Sequence, residues 1–196
     1  STGLYLSFTT GMFSFFVLLV MSFLGLSYNF KIFSFMSKKG KLARIKDIPG
    51  SKTILITIAW GTVTCLLPAM TNQSDLISVA TVCLFAMGLV FARTAFFDIM
   101  AIQGDRITGK ETLPTLLGEK QSFKIIQYVL LVDTGIIILS IFTDVLAIKA
   151  FFFAFIPLMM LLLIRFFKNN SLISGVHREF VVEFSFIATG LLAAVI

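Results

Sequence analysis

Leu76-Ile-Ser-Val-Ala-Thr-Val-Cys-Leu-Phe-Ala-Met-Gly-Leu-Val-Phe-Ala92 carries no charged side chain, and it runs directly into Arg93-Thr-Ala-Phe-Phe-Asp98. A bilayer core takes roughly 20 apolar residues per helix. Five more apolar runs lie around this one, at about Leu4–Tyr28, Thr53–Met70, Ile125–Phe142, Val145–Phe167 and Phe180–Ile196. None shows the strict polar/apolar alternation of a barrel strand. Helices are the other way to satisfy every backbone N–H and C=O inside lipid. Composition agrees: 58% of residues are hydrophobic and only 13% charged, against about a quarter charged in a soluble domain. A soluble globule could not hide that much apolar surface. The sequence therefore predicts an all-α, polytopic transmembrane bundle of six helices, forming one domain over residues 1–196.

Charge sets the expected topology. Of the 16 Lys and Arg, all but Lys149 fall in the loops Asn29–Lys52 and Arg93–Lys124 or beside the fifth connection, at Arg165, Lys168 and Arg178. Six helices place those loops on one face, and the positive-inside rule makes that face cytoplasmic. The net charge of +6 follows from this orientation. It calls for no nucleic-acid partner, and the first basic loop suits anionic headgroups. Cys65 and Cys83 each sit inside an apolar run without metal or redox spacing, and read as packing residues. His177 stands alone, so no zinc site is expected. Pro157, within the fifth run, is expected to kink its helix. Asp133, deep in the fourth, is either a functional group or a protonated, hydrogen-bonded packing residue.

The long loops are where chemistry is expected. Asp98 and Asp105 are seven residues apart, about 700° of helix, so a helical segment points both to nearly one face with a rise of roughly 10 Å. Paired carboxylates at a membrane boundary suit Mg²⁺, which takes one or two carboxylates and bridges to substrate phosphates. At that rise a continuous helix holds one ion only through waters, or serves two ions. Arg93, Arg106 and Lys110 could neutralise a diphosphate. The plainer reading is a solvated, mixed-charge loop that caps a helix.

Arg93…Asp98…Gln103-Gly104-Asp105-Arg106…Gly109-Lys110…Thr112-Leu113-Pro114, with Leu117-Gly118 following, resembles the second aspartate-rich motif of the UbiA family of intramembrane prenyltransferases, R-x4-D-x2-D-x3-D. The earlier loop is similar to that family too: Tyr28, a basic stretch, then Lys46-Asp47-Ile48-Pro49-Gly50-Ser51-Lys52 leading to Ala59-Trp60-Gly61. The resemblance implies helices four to nine of a nine-helix fold around a lipid-facing cavity. It implies Mg²⁺-dependent transfer of a prenyl group from a prenyl diphosphate to a lipid-soluble or aromatic acceptor. Asp98 and Asp105 would act as catalytic metal-diphosphate ligands, with Arg93, Arg106, Lys110, Tyr28, Lys31, Arg44 and Lys46 on the diphosphate. It also implies a multi-pass protein of a bacterial or archaeal inner membrane.

Two departures bear on this. Ala101 stands where the motif usually carries its middle aspartate, and alanine holds no metal. The family's first motif, N-D-x2-D-x3-D, does not occur in the sequence. Three expectations stay open: an N-terminally incomplete record of a longer protein, a missing half supplied by another membrane chain, or a non-catalytic UbiA-like subunit of a larger complex.

Overall fold

Asp75 begins the central helix. Its carboxylate accepts from the N–H groups of Ile77 and Ser78, at 3.2 Å each, satisfying donors that a helix start leaves unpaired. The computed structural model describes residues 2–28, 48, 50–71, 75–169 and 175–195. Within them the chain forms α1 (Thr2–Thr10), α2 (Met12–Ser27), α3 (Ser51–Gly61), α4 (Leu67–Thr71), α5 (Leu76–Met100), α6 (Ile102–Ile107), α7 (Leu113–Leu117), α8 (Glu119–Phe142), α9 (Phe155–Asn169) and α10 (Gly175–Val195). A π-helical turn, Thr62–Leu66, joins α3 to α4, and a 3-10 helix, Ile148–Ala154, leads into α9. No strand occurs among the described residues. The protein is an all-α membrane bundle.

Among the described residues four stretches are long and apolar enough to cross a membrane: Ser51–Met70, Leu76–Met100, Glu119–Phe142 and Ile148–Lys168. Six were expected, and the other two runs differ for identifiable reasons. The first divides at Gly11 into α1 and α2. The last belongs to a helix that starts earlier, at Gly175, and so adds Arg178 and Glu179 to the Glu183 already within the run. Pro157 lies in the first turn of α9, just after the chain passes from the 3-10 helix into α geometry.

α5 is the hub, packed against α3, α8 and α10. Two glycines bring its neighbours close. A Cβ on Gly61 of α3 would lie 2.4 Å from Met87 Cγ, and a Cβ on Gly88 of α5 would lie 2.4 Å from Asp133 Oδ2 on α8. Phe96, Ile126, Leu130, Met160, Ile164 and Val182 are buried between α5, α8, α9 and α10. The outward faces keep large apolar side chains exposed, among them Trp60, Leu131, Leu139, Leu162 and Phe166, which suits a lipid surround. Cys83 Sγ lies 3.6 Å from the Gly61 carbonyl and Cys65 Sγ 3.8 Å from that of Val82; both thiols sit in the α3–α5 seam, and neither is in a disulfide.

Candidate functional site

The site assembles where α5 ends. Ala101 leaves helical geometry (φ −87°, ψ 1°), which separates α5 from the short α6. Gly109 then stops α6 at φ +66°. The N–H of Gly109 bonds to the Arg106 carbonyl (3.3 Å) and that of Lys110 to the Asp105 carbonyl (2.9 Å), the paired bonds of a glycine-terminated helix. Thr112 opens α7, its N–H donating to Thr115 Oγ1 at 2.8 Å, and Pro114 occupies the first turn, where its ring is tolerated. These stops fold the chain back so that the residues after Asp105 face the start of α3.

On the other side, Gly50 (φ 72°, ψ −2°) has the dihedrals of the third residue of a type II turn. The Ser51 N–H closes that turn on the Ile48 carbonyl at 3.1 Å. A Cβ at Gly50 would approach Leu113 Cδ1 to 3.2 Å, so the turn before α3 packs on the start of α7. The two loops that carry the motif thus meet directly.

Between them lies a cavity of about 540 Å³, lined by Tyr28, Lys52, Asp98, Asp105, Lys110 and Glu111, with backbone and small side chains of 50–51, 108–109 and 112 completing it. Asp98 is 2% exposed and Asp105 7%. Asp98 is held at both oxygens: Lys52 Nζ lies 3.1 Å from Oδ1, and Thr53 Oγ1 donates to Oδ2 at 2.7 Å. Thr53 is fully buried. Asp105 pairs more loosely with Lys110, at 3.6 Å. Buried carboxylates stay charged at modest cost only when paired and hydrogen-bonded, and each has a lysine.

The structure brings together Tyr28, Asp98, Asp105 and Lys110, but not the two arginines. Arg93 donates to Glu183 on α10 from Nε, at 2.8 Å, and from its terminal nitrogen. Its guanidinium lies over Phe97 and Phe186, at 4.8 and 6.0 Å. Arg106 is exposed and absent from the cavity wall. Geometry explains both. Five residues of helix separate Arg93 from Asp98, a rotation of about 140°, and one residue separates Arg106 from Asp105, about 100°. Lys31, Arg44 and Lys46 lie outside the described residues. Asp133 is far from this chemistry; it is buried between α8 and α5, and its Oδ2 has no hydrogen-bond partner among the described residues.

Sequence reading passed over Lys52 and Thr53, which supply the direct partners of Asp98. The Pro-Gly-Ser-Lys-Thr order carried a usable signal, since a turn just ahead of a helix places the next residues in its first turn. The donor set is two hard oxygen carboxylates on one cavity, with room for phosphate oxygens and water, and this fits Mg²⁺. Among the described residues no group of three or more metal-ligating side chains forms. The break at Ala101 also removes the continuous helix on which the 10 Å rise depended.

A family model described as the UbiA prenyltransferase family matches residues 1–179. No curated protein and no solved structure matches the chain.

Proposed function

Because this integral membrane protein belongs to the UbiA prenyltransferase family, we propose that the Asp98–Asp105 cavity binds a prenyl diphosphate with Mg²⁺ for transfer of the prenyl group to a lipid-soluble or aromatic acceptor. The observation that carries this reading is the convergence of two buried carboxylates and two lysines on one cavity at the end of an apolar bundle.

In the proposed step the C1–O bond of the prenyl diphosphate breaks and its electron pair leaves on the diphosphate. The acceptor forms the new bond and loses a proton. Asp98 and Asp105 would hold Mg²⁺, which would supply Lewis-acid neutralisation of the leaving diphosphate. Lys52 is 55% exposed on its side chain, so its flexible stem can move from Asp98 to a phosphate oxygen. Thr53 keeps the Asp98 carboxylate aimed while that exchange occurs. Lys110 does for Asp105 what Lys52 does for Asp98. Tyr28 offers a phenolic O–H at the cavity wall. Lys31, Arg44 and Lys46 remain in the proposed diphosphate set on the motif alone, while Arg93 and Arg106 leave it. The basic loops put this end of the bundle on the cytoplasmic side in the proposed topology.

The test is Mg²⁺-dependent binding and turnover of a prenyl diphosphate by the complete protein, wild type and Asp98→Asn. Loss of both in the variant supports the assignment; undiminished transfer rejects it. A second reading, a non-catalytic UbiA-like subunit of a larger complex, draws support from Ala101 and the two-carboxylate donor set. It requires that the complete protein show no Mg²⁺-dependent prenyl diphosphate binding.

A further inference from the structure

A second cavity, of about 230 Å³, lies behind the Asp98–Asp105 segment and shares no lining residue with the first. Its floor is apolar: Phe96, Ile99, Phe123 and Phe167 are each at most 5% exposed. Its rim is polar, carrying Lys168 from the last turn of α9, Arg178 from the first turns of α10, and Gln103 and Glu119. Two cations face one carboxylate, which leaves the rim net positive. The Lys168 ammonium lies 5.4 Å from the Phe123 ring centroid, and among the described residues no carboxylate is within ion-pair distance of it.

The depth of this cavity matters as much as its charge. α5 and α9 end beside it, and α8 and α10 begin beside it. The membrane-crossing stretches Leu76–Met100, Glu119–Phe142 and Ile148–Lys168 therefore all terminate at its level, which is the level of lipid headgroups. Basic pockets between transmembrane helices at that depth suit the phosphate of an anionic lipid.

We propose that this cavity is a phosphate-anion site, in which Lys168 and Arg178 engage the phosphate oxygens and Gln103 donates alongside them, and whose apolar floor receives the first methylenes of an anionic phospholipid. Free phosphate offers the same anionic chemistry without the hydrocarbon. Phe96, Ile99 and Gln103 are interspersed along the chain with Asp98 and Asp105, so an occupant braces the Asp98–Asp105 segment from behind. This site does not depend on the transfer reaction proposed above, and its readout is separate.

The experiment is thermal unfolding of the purified full chain in detergent with added phosphatidylglycerol, phosphatidylcholine or millimolar inorganic phosphate. Phosphatidylglycerol should raise Tm by about 5–10 °C at a hundredfold excess over Kd, and phosphatidylcholine should not. Lys168→Glu should abolish the increment and Lys168→Arg keep it, while Lys149→Glu, at the opposite end, should leave it intact. An equal, Lys168-dependent increment from inorganic phosphate assigns the site to the free anion. If Lys168→Glu fails to fold, loss of phosphatidylglycerol from Lys168→Gln in native mass spectrometry supports the site in its place, and its retention overturns it. An increment that survives the loss of the Lys168 charge, or one matched by phosphatidylcholine, overturns the proposal.

Discussion

Lys52–Asp98 and Arg93–Glu183 both tie α5 to a neighbouring helix, from positions on α5 little more than one turn apart, yet they are built for different work. In the first pair the acid is buried and the base mobile: the Asp98 side chain is 3% exposed and that of Lys52 55%. In the second the base is fixed, with two hydrogen bonds to one carboxylate oxygen and two aromatic rings about its guanidinium. In the proposed complex Mg²⁺ would take the place of Lys52 at Asp98 while Thr53 keeps its hydrogen bond, so a phosphate could draw Lys52 away without leaving the buried carboxylate unpaired. Drawing Arg93 away would strand Glu183 and uncover both rings. Proximity in sequence to a motif is thus no measure of membership in a site; what counts is which side of the helix a residue occupies and how firmly it is already held.

The largest expected effect is at the acid of the first pair. Asp98→Asn, which keeps shape and removes charge, should lower prenyl transfer about 100-fold or more, with a folded, monodisperse protein in size-exclusion chromatography. Transfer at the wild-type rate would make the two pairs equivalent and end the comparison. Next comes the mobile base. Lys52→Ala should raise KM for the prenyl diphosphate about tenfold, the scale of one charge-assisted contact, and Lys52→Arg should restore most of it. An unchanged KM would reduce Lys52 to a structural partner of Asp98.

The second pair should respond in the other observable. Glu183→Ala is expected to lower stability by about 1 kcal/mol, since both partners are partly exposed, seen as a drop in Tm of a few degrees. KM for the prenyl diphosphate should stay within about twofold of wild type. A tenfold rise in KM in Arg93→Gln, without loss of Tm, would return Arg93 to the diphosphate. The smallest effect belongs to Lys110, which is 67% exposed on its side chain and 3.6 Å from Asp105. Lys110→Ala should change KM by about two- to threefold, a fraction of what Lys52→Ala does, given the weakness of exposed pairs.

These contrasts also mark what was legible in the sequence. The apolar runs announced an all-α membrane bundle because lipid leaves the backbone few options. Asp98 and Asp105 were legible as a pair on the motif's loop, and both line one cavity, but the helix that their spacing assumed is interrupted at Ala101. Lys52 and Thr53 were not, because their role comes from a contact between segments more than forty residues apart in the chain, set by Gly50 packing on Leu113. Arg93 and Arg106 were assigned by neighbourhood, when the rotation per residue already pointed them elsewhere. The change of helix type beside Pro157 was not legible either: the run was read as one helix from Val145, whereas the chain crosses from 3-10 to α geometry just ahead of the proline.

The π-helical turn at Thr62–Leu66, closed by the Leu67 N–H on the Thr62 carbonyl, has a consequence for how this protein tolerates change. Such a turn accommodates one more residue than an α-turn, so everything past it is offset by about 100° of rotation relative to an uninterrupted helix. Lys52 and Thr53 lie before the offset and Leu67–Thr71 after it. Excising a single residue from the turn would close it to an α-turn and leave both halves on the faces they now present, the far half against α5 and the near half with the lysine that meets Asp98. The turn is thus a place where the helix can lose one residue and the cavity need never register it.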